Sequence, residues 1–191
     1  MTGTMRTTRN VDGAESVERI VKAALAELPP TGPILLGAGA ATERLAEVLP
    51  ADRPLTVITD AVAIGQTLVP RPNTTVALIG GRLDPRTGAV VDAWALDELA
   101  QVCAEIAFVV PDGVSVRRGL TATSLAGAAV HAAMIQAARR TVLLVDRSRI
   151  GADHMARFGD IGDVDVMITE SDLDDETTAD IAARGPRVVR V

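Results

Sequence analysis

The sequence predicts an α/β domain, a mainly parallel sheet covered by helices on both faces. Three observations predict it. Short apolar runs recur along the chain, and strands apolar on both faces belong to sheets covered on both sides. Between them lie stretches whose apolar residues follow helical spacing, the alternation that builds parallel sheets. With 48% apolar residues among 191, the chain can bury a sizeable core, and no repeat, low-complexity tract or linker divides it.

Residues 1–12 are expected to be a disordered N-terminal segment and residues 13–191 a single domain. ESVERIVKAALAEL (15–28) places apolar residues three and four apart and ends at Pro29-Pro30, which cannot continue a helix. Seven runs then read as strands: ILL (34–36), LTVIT (55–59), TVALIG (75–80), IAFVV (106–110), TVLLV (141–145), VDVMIT (164–169) and RVVRV (187–191). TERLAEVL (42–49), DAVAIGQTLV (60–69), ALDELAQVCA (95–104), SLAGAAVHAAMIQAARR (124–140) and DDETTADIAARG (174–185) read as the helices between them. The acidic run SDLDDETTAD caps the last of these, because negative side chains offset the positive end of the helix dipole.

Composition excludes several functions. A net charge of −6 and 2% aromatic residues, with no Tyr, oppose a phosphate-neutralising or base-stacking surface. The basic residues are eighteen Arg and one Lys, Lys22, which lies in the first helix far from any glycine turn. A Schiff-base or P-loop lysine must stand at the ligand, so both chemistries lack their residue. No apolar run reaches the roughly 18 residues of a membrane span, and the polar start carries no signal-peptide core. A cytoplasmic protein with no membrane contact is expected. The single cysteine, Cys103, is expected to be a small buried residue. His131 and His154 lack metal-ligand spacing, and neither a metal nor another cofactor is expected. Trp94 is expected in packing or a subunit contact, and Arg117-Arg118 and Arg139-Arg140 as solvated pairs.

In open parallel sheets, ligands bind at the carboxyl ends of the strands where strand order reverses. The residues just after each strand are therefore the candidates: GAGAAT (37–42), Thr59-Asp60, Gly80-Gly81-Arg82, Pro111-Asp112-Gly113 and Asp146-Arg147-Ser148-Arg149. Glycine lets the backbone approach a ligand, arginine grips an anion, and aspartate accepts hydrogen bonds from hydroxyls, a combination suited to a phosphorylated polyol. Each also has a plain structural reading as a helix cap or tight turn. A dinucleotide fingerprint is the alternative. GAGAAT matches its first two glycines, but Thr42 stands at the third, and the GGR and PDG turns have no part in that scheme.

In order, GAGAAT, VITD, LIGGRLDPRTG, VPDGVS with RRGLT, VHAAM and DRSRIG resemble the motifs of the carboxy-terminal effector-sensing domain of DeoR-type sugar-metabolism repressors. The resemblance covers about residues 14–191. It implies a fold similar to ribose-5-phosphate isomerase and CoA-transferase-like proteins, and a sugar phosphate bound as inducer without conversion. It places ligand contacts on Gly39, Ala40, Ala41, Thr42, Thr59, Asp60, Gly80, Gly81, Arg82, Asp112, Gly113, Thr121, His131, Asp146 and Arg149. It also implies a homo-oligomer, with DNA reached only through a winged helix-turn-helix; about thirteen residues precede the first helix, so that module is expected to be absent or on a separate chain.

The departures from the family pattern carry information. The family's turn acid falls on Gly37, its two threonines on Ala40 and Ala41, its Asn on Asp60, its helix glutamate and lysine on Gly127 and His131, a glycine on Val110 and the last lysine on Arg149. Two lost hydrogen bonds to a charged oxygen, at about 1.5–3 kcal/mol each, weaken anion binding by roughly a hundredfold or more. The pocket is then retuned toward a less anionic ligand or is decaying. An isomerase-like enzyme would need a carboxylate base, for which Asp112 is available, and a fixed cation, for which neutral His131 is a poor substitute.

Overall fold

The computed structural model describes the backbone of residues 4–191 and the side chains of residues 14–191. In chain order the elements are α1 (Thr4–Glu27), β1 (Gly32–Leu36), α2 (Ala40–Glu47), β2 (Leu55–Thr59), α3 (Val62–Leu68), β3 (Thr74–Leu78), β4 (Arg82–Leu83), β5 (Val90–Val91) and α4 (Ala93–Leu99). There follow β6 (Ile106–Val109), β7 (Gly113–Ser115), β8 (Gly119–Ala122), α5 (Leu125–Gln136), β9 (Thr141–Leu144), β10 (Ala156–Gly159), β11 (Val166–Thr169), α6 (Asp175–Ala182) and β12 (Arg187–Arg190). Single 3-10 turns stand at Arg147–Arg149 and Ile161–Asp163.

All seven runs read as strands enter one sheet, in the order β12-β11-β9-β6-β1-β2-β3, and every pairing in it is parallel. Alternate residues face opposite sides, so the sheet feeds two cores. Ile34, Leu36, Ile106 and Phe108 pack under α1, α2 and α3, against Ile20, Leu45 and Ile64. Leu35, Ala107, Val109 and Leu143 face the other way, toward Leu99 of α4, Met134 of α5 and Ile181 of α6. That second side also carries a three-stranded antiparallel sheet, β10-β8-β7, while β4 and β5 form a separate hairpin. Asp174 caps α6 by accepting the Thr177 N–H at 2.7 Å, with Asp175 and Glu176 in its first turn, as the acidic run predicts.

Several expectations need correction. Helix α4 ends at Leu99, and the chain turns toward β6 with Ala104 inward, which leaves Cys103 exposed where a buried position was expected. Trp94, 74% exposed, packs into neither core. Arg140 is not merely solvated: it pairs with Glu27 at the end of α1 at 2.8 Å. The disordered start expected over residues 1–12 lies outside the described side chains, and residues 1–3 outside the described backbone. No helix among the described residues is long and apolar enough to cross a membrane.

Candidate functional site

Strand order reverses between β1 and β6, so the crevice at their carboxyl ends is where an open α/β sheet holds a ligand. A cleft of about 240 Å³ opens there. Its first wall is the turn from β1 into α2, with Gly39, Ala40 and Glu43. Gly39 is the N-cap at φ 156° and supplies no side-chain cap, so the first-turn amides of Ala40, Ala41 and Thr42 lack intrahelical acceptors. A side chain at Gly39 would put its Cβ 2.8 Å from Cβ of Val110, which fills the floor beside it. The Thr42 hydroxyl turns back to the carbonyls of Gly37 and Gly39, at 2.5 and 2.8 Å, and is not offered to the cleft.

Asp60 forms the second wall at 1% exposure. Burial pushes its carboxyl up to about 7, although the Ala38 N–H, donating at 2.8 Å, works against that rise. Thr59 beside it is fully buried; its hydroxyl donates to the Leu36 carbonyl at 2.6 Å and accepts the Ala61 N–H at 3.1 Å. The hairpin β4–β5 leans over this wall and contributes Asp84 and Thr87 from its tip. Its base is joined to Asp60, whose carbonyl accepts the Val90 N–H at 2.7 Å.

The third wall comes from the antiparallel layer and α5. Asp112 follows β6 and accepts the Thr123 N–H at 2.7 Å. Arg149 donates to the Pro111 carbonyl at 2.6 Å and to Asp146 at 2.7 Å, with its guanidinium 3.7 Å from Asp112. Burial raises the Asp146 carboxyl, but hydrogen bonds from Ser148 and Arg149 outweigh it and hold the group below its ordinary value. Asp146 does not line the cleft; it fixes Arg149, which does. Ser124 caps α5, accepting the Gly127 N–H at 3.0 Å, so a second helix start faces the same space. His131 stands further along α5, its ring 5.0 Å from that of Phe158, and its Nδ1 is sealed without a hydrogen-bond partner. Burial pushes the imidazole down to about 4, with Asp112 pulling up and Arg149 pushing down, so it is neutral at neutral pH.

Gly39, Ala40, Asp60, Asp112, His131 and Arg149 therefore meet in the cleft. The remaining candidates stand behind or beside it. Ala41 is buried in the core under α2. Gly80 donates its N–H to Glu98 at 2.8 Å, Gly81 at φ 148° is pressed on Val90 and Val91, and Arg82 pairs with Asp92 at 2.5 Å; the three shape the hairpin that carries Asp84. Gly113 and Thr121 clasp β7 to β8, the threonine donating to the Gly113 carbonyl at 3.2 Å and accepting the His154 N–H at 3.1 Å. Glu43, Asp84, Thr87, Thr123 and Ser124 line the cleft but were not among the candidates. The turn signal Asp-Pro-x-Thr-Gly at 84–88 points to an exposed tip and could have drawn notice to two of them. No group of three His, Cys, Asp or Glu among the described residues is placed to hold a metal ion.

The family model of the DeoR C terminal sensor domain matches residues 14–171. The chain belongs to that family. This DeoR-type sensor is 26% identical over 181 residues to the HTH-type transcriptional regulator GlpR of Haloferax volcanii, covering 95% of this chain and 71% of that protein. It is 24% identical over 163 residues to the glycerol-3-phosphate regulon repressor of Escherichia coli, and 25% over 162 to its deoxyribose operon repressor. Those two matches cover 85% of this chain each, and 65% and 64% of the relatives; the sensor thus spans about two thirds of their length. Its fold is shared with D-ribose-5-phosphate isomerase in complex with phospho-erythronic acid, at a TM-score of 0.51, 16% identity and coverage of 72% and 54%. It is shared equally with the Pyrococcus horikoshii translation initiation factor eIF-2B, at 0.51, 12%, 80% and 52%.

Proposed function

We propose that the cleft binds a small phosphorylated polyol as an effector, does not convert it, and reports its presence to a DNA-binding module on a further segment or a separate chain. One observation carries this reading: two helix starts and Arg149 converge on the same space as the carboxyl groups of Asp60 and Asp112. Free amides and a guanidinium favour an oxyanion, and carboxylates accept hydroxyl protons. The size agrees, since about 240 Å³ lies below the roughly 300–1,000 Å³ of drug-sized sites. The names of the relatives, a glycerol-3-phosphate regulon repressor and a deoxyribose operon repressor, support a phosphate of three to five carbons. The charge inventory keeps the ligand modestly anionic: Glu43, Asp84 and Asp112 face one arginine, Asp60 is only partly ionised at neutral pH, and His131 adds no charge. The family's usual assembly supports a homo-oligomer as the working form.

Isothermal titration against a panel of sugar phosphates and free sugars tests the proposal. A phosphorylated member is expected to bind about a hundredfold more tightly than its unphosphorylated counterpart. Silence across the whole panel would mean a decayed pocket and sink it. Incubation with ribose 5-phosphate is expected to give no turnover. Conversion abolished by Asp112→Asn would establish an isomerase instead, but the proton-moving step needs a fixed cation, and Arg149 is already held by Pro111 and Asp146.

A further inference from the structure

At the far end of β7 and β8 from the cleft lies a second groove, of about 640 Å³. Four arginines reach it from three places: Arg117 and Arg118 in the turn between β7 and β8, Arg157 on β10, and Arg184 beyond the end of α6. Such a gathering is unexpected in a chain of net charge −6, because like charges in one groove repel. Only Arg117 and Arg157 have carboxylate partners among the described residues, Asp153 and Asp160. Arg157 is steadied further by donating Nε to the Arg118 carbonyl at 3.0 Å, and Arg184 by donating to the Asp180 carbonyl at 3.2 Å. Each guanidinium carries five N–H donors, so most of these donors remain unengaged.

Arg118 is the decisive member. Its backbone N–H is tied to Ser115 Oγ at 3.0 Å, yet its side-chain Nε is buried with no hydrogen-bond partner. A buried charged donor left unpaired is costly, so an anion in the groove that drew this side chain outward would relieve that cost. Gly119, at φ 76°, and Gly162 permit close packing around the groove: a Cβ would clash with the Gly159 carbonyl at the first and meet the Arg184 carbonyl at 3.1 Å at the second, so β10 and the end of α6 are drawn in with their arginines.

We propose that this groove is a second anion site, taking a compact phosphate-class polyanion, separate from the effector cleft. Planar guanidinium forks match phosphate oxygens pairwise, and four of them suit a diphosphate better than a single carboxylate. An extended polyanion such as nucleic acid fits worse, because Asp153 and Asp160 stand beside the arginines and Asp163 lies next along the chain, at a distance of one 3-10 turn.

Pyrophosphate is the probe, titrated calorimetrically into the full chain at constant ionic strength. Saturable binding of unchanged affinity is expected in the wild type and in Arg149→Gln, which weakens anion binding in the effector cleft. Arg118→Gln combined with Arg184→Gln is expected to weaken it by about a hundredfold, the loss of two charge-assisted contacts. If that double variant does not fold, Arg184→Gln alone, at an exposed position, is expected to weaken it about tenfold. The proposal is overturned by no saturable binding in the wild type, by binding that Arg149→Gln abolishes, by an affinity that the Arg184→Gln variants leave unchanged, or by a short DNA duplex binding more tightly than pyrophosphate.

Discussion

The seven-stranded sheet and the three-stranded layer beside it contribute different things to one site. The parallel strands are runs of Val, Ile and Leu whose central members, β6 and β9, are buried along their whole length. They supply backbone: the turn at Gly39, the unpaired amides of α2, and the buried carboxyl of Asp60 at the end of β2. The antiparallel layer is built of short segments rich in Gly, Ser and Thr, and it supplies charged side chains, Asp112 and Arg149, on the two connections that enter it from the parallel sheet. Backbone provides a shape that many effectors could share, and side chains provide the discrimination. That division predicts that changes in the sheet register mainly as stability and changes in the layer mainly as affinity.

The largest effect tests the sheet. Phe108 is fully buried in β6 between Leu36 and Val142 of its neighbours' register. Phe108→Ala is expected to cost about 3–5 kcal/mol in chemical denaturation, through lost burial and the cavity left behind. A loss below about 1 kcal/mol would mean that this strand is not the centre of the core.

Next in size is a pair of opposed pH effects inside the cleft. Asp60 is lifted from an ordinary 3.8 to about 7, so between those values the folded protein holds a proton that the unfolded chain has lost. Its contribution to stability is full below pH 3.8 and is lost as pH rises through 7. His131 is lowered from 6.5 to about 4, so its contribution is full above 6.5 and is lost as pH falls toward 4. Each spans on the order of a few kcal/mol, and between pH 4 and 6.5 they nearly cancel. Asp60→Asn is expected to leave stability rising with pH over that window, and His131→Gln to leave it falling from pH 4 to 7, both read from urea midpoints. Identical profiles in the two variants would refute the assignment.

The sheet was legible because its seven strands are long apolar runs, and a buried parallel strand needs nothing else. The smaller strands were not, since β4 and β5 hold two residues each and β7 begins on Gly113, below the length at which a period can be read. The same gap explains the site. Gly39, Asp60, Asp112 and Arg149 follow strands or a recognised motif and were found. Asp84 and Thr87 sit on a hairpin that the sequence did not announce. Thr42 and Thr59 were placed at the ligand because their positions fit, but nothing in a sequence says that a hydroxyl will turn to a backbone carbonyl, of its own turn for Thr42 and of the neighbouring strand β1 for Thr59.

A third, smaller effect joins the two regions at Gly39. Gly39→Ala meets both an unfavourable φ and the Val110 side chain, and is expected to cost about 1–3 kcal/mol. In a Val110→Gly background, which removes the Cβ as well as the two methyls, the steric part is gone, so the cost of the same change is expected to shrink by about 1 kcal/mol in a double-mutant cycle. Additivity would show that the two residues do not press on each other.

The smallest effect separates two arginines that the sequence treated alike. Arg82 follows β3 and Arg149 follows β9, and both were expected at the ligand. Arg82 pairs with Asp92 on the outside of the hairpin with its side chain 60% exposed, where an ion pair is worth little because water screens it. Arg149 is half-buried, fixed by Asp146 and Pro111, and faces the cleft. Arg149→Gln is expected to weaken a phosphorylated effector by about tenfold or more. Arg82→Gln is expected to change affinity by less than about twofold and stability by less than about 0.5 kcal/mol. A tenfold loss of effector affinity at Arg82 would mean that the hairpin folds down on the bound ligand, and the cleft's charge inventory would then have to count a second cation.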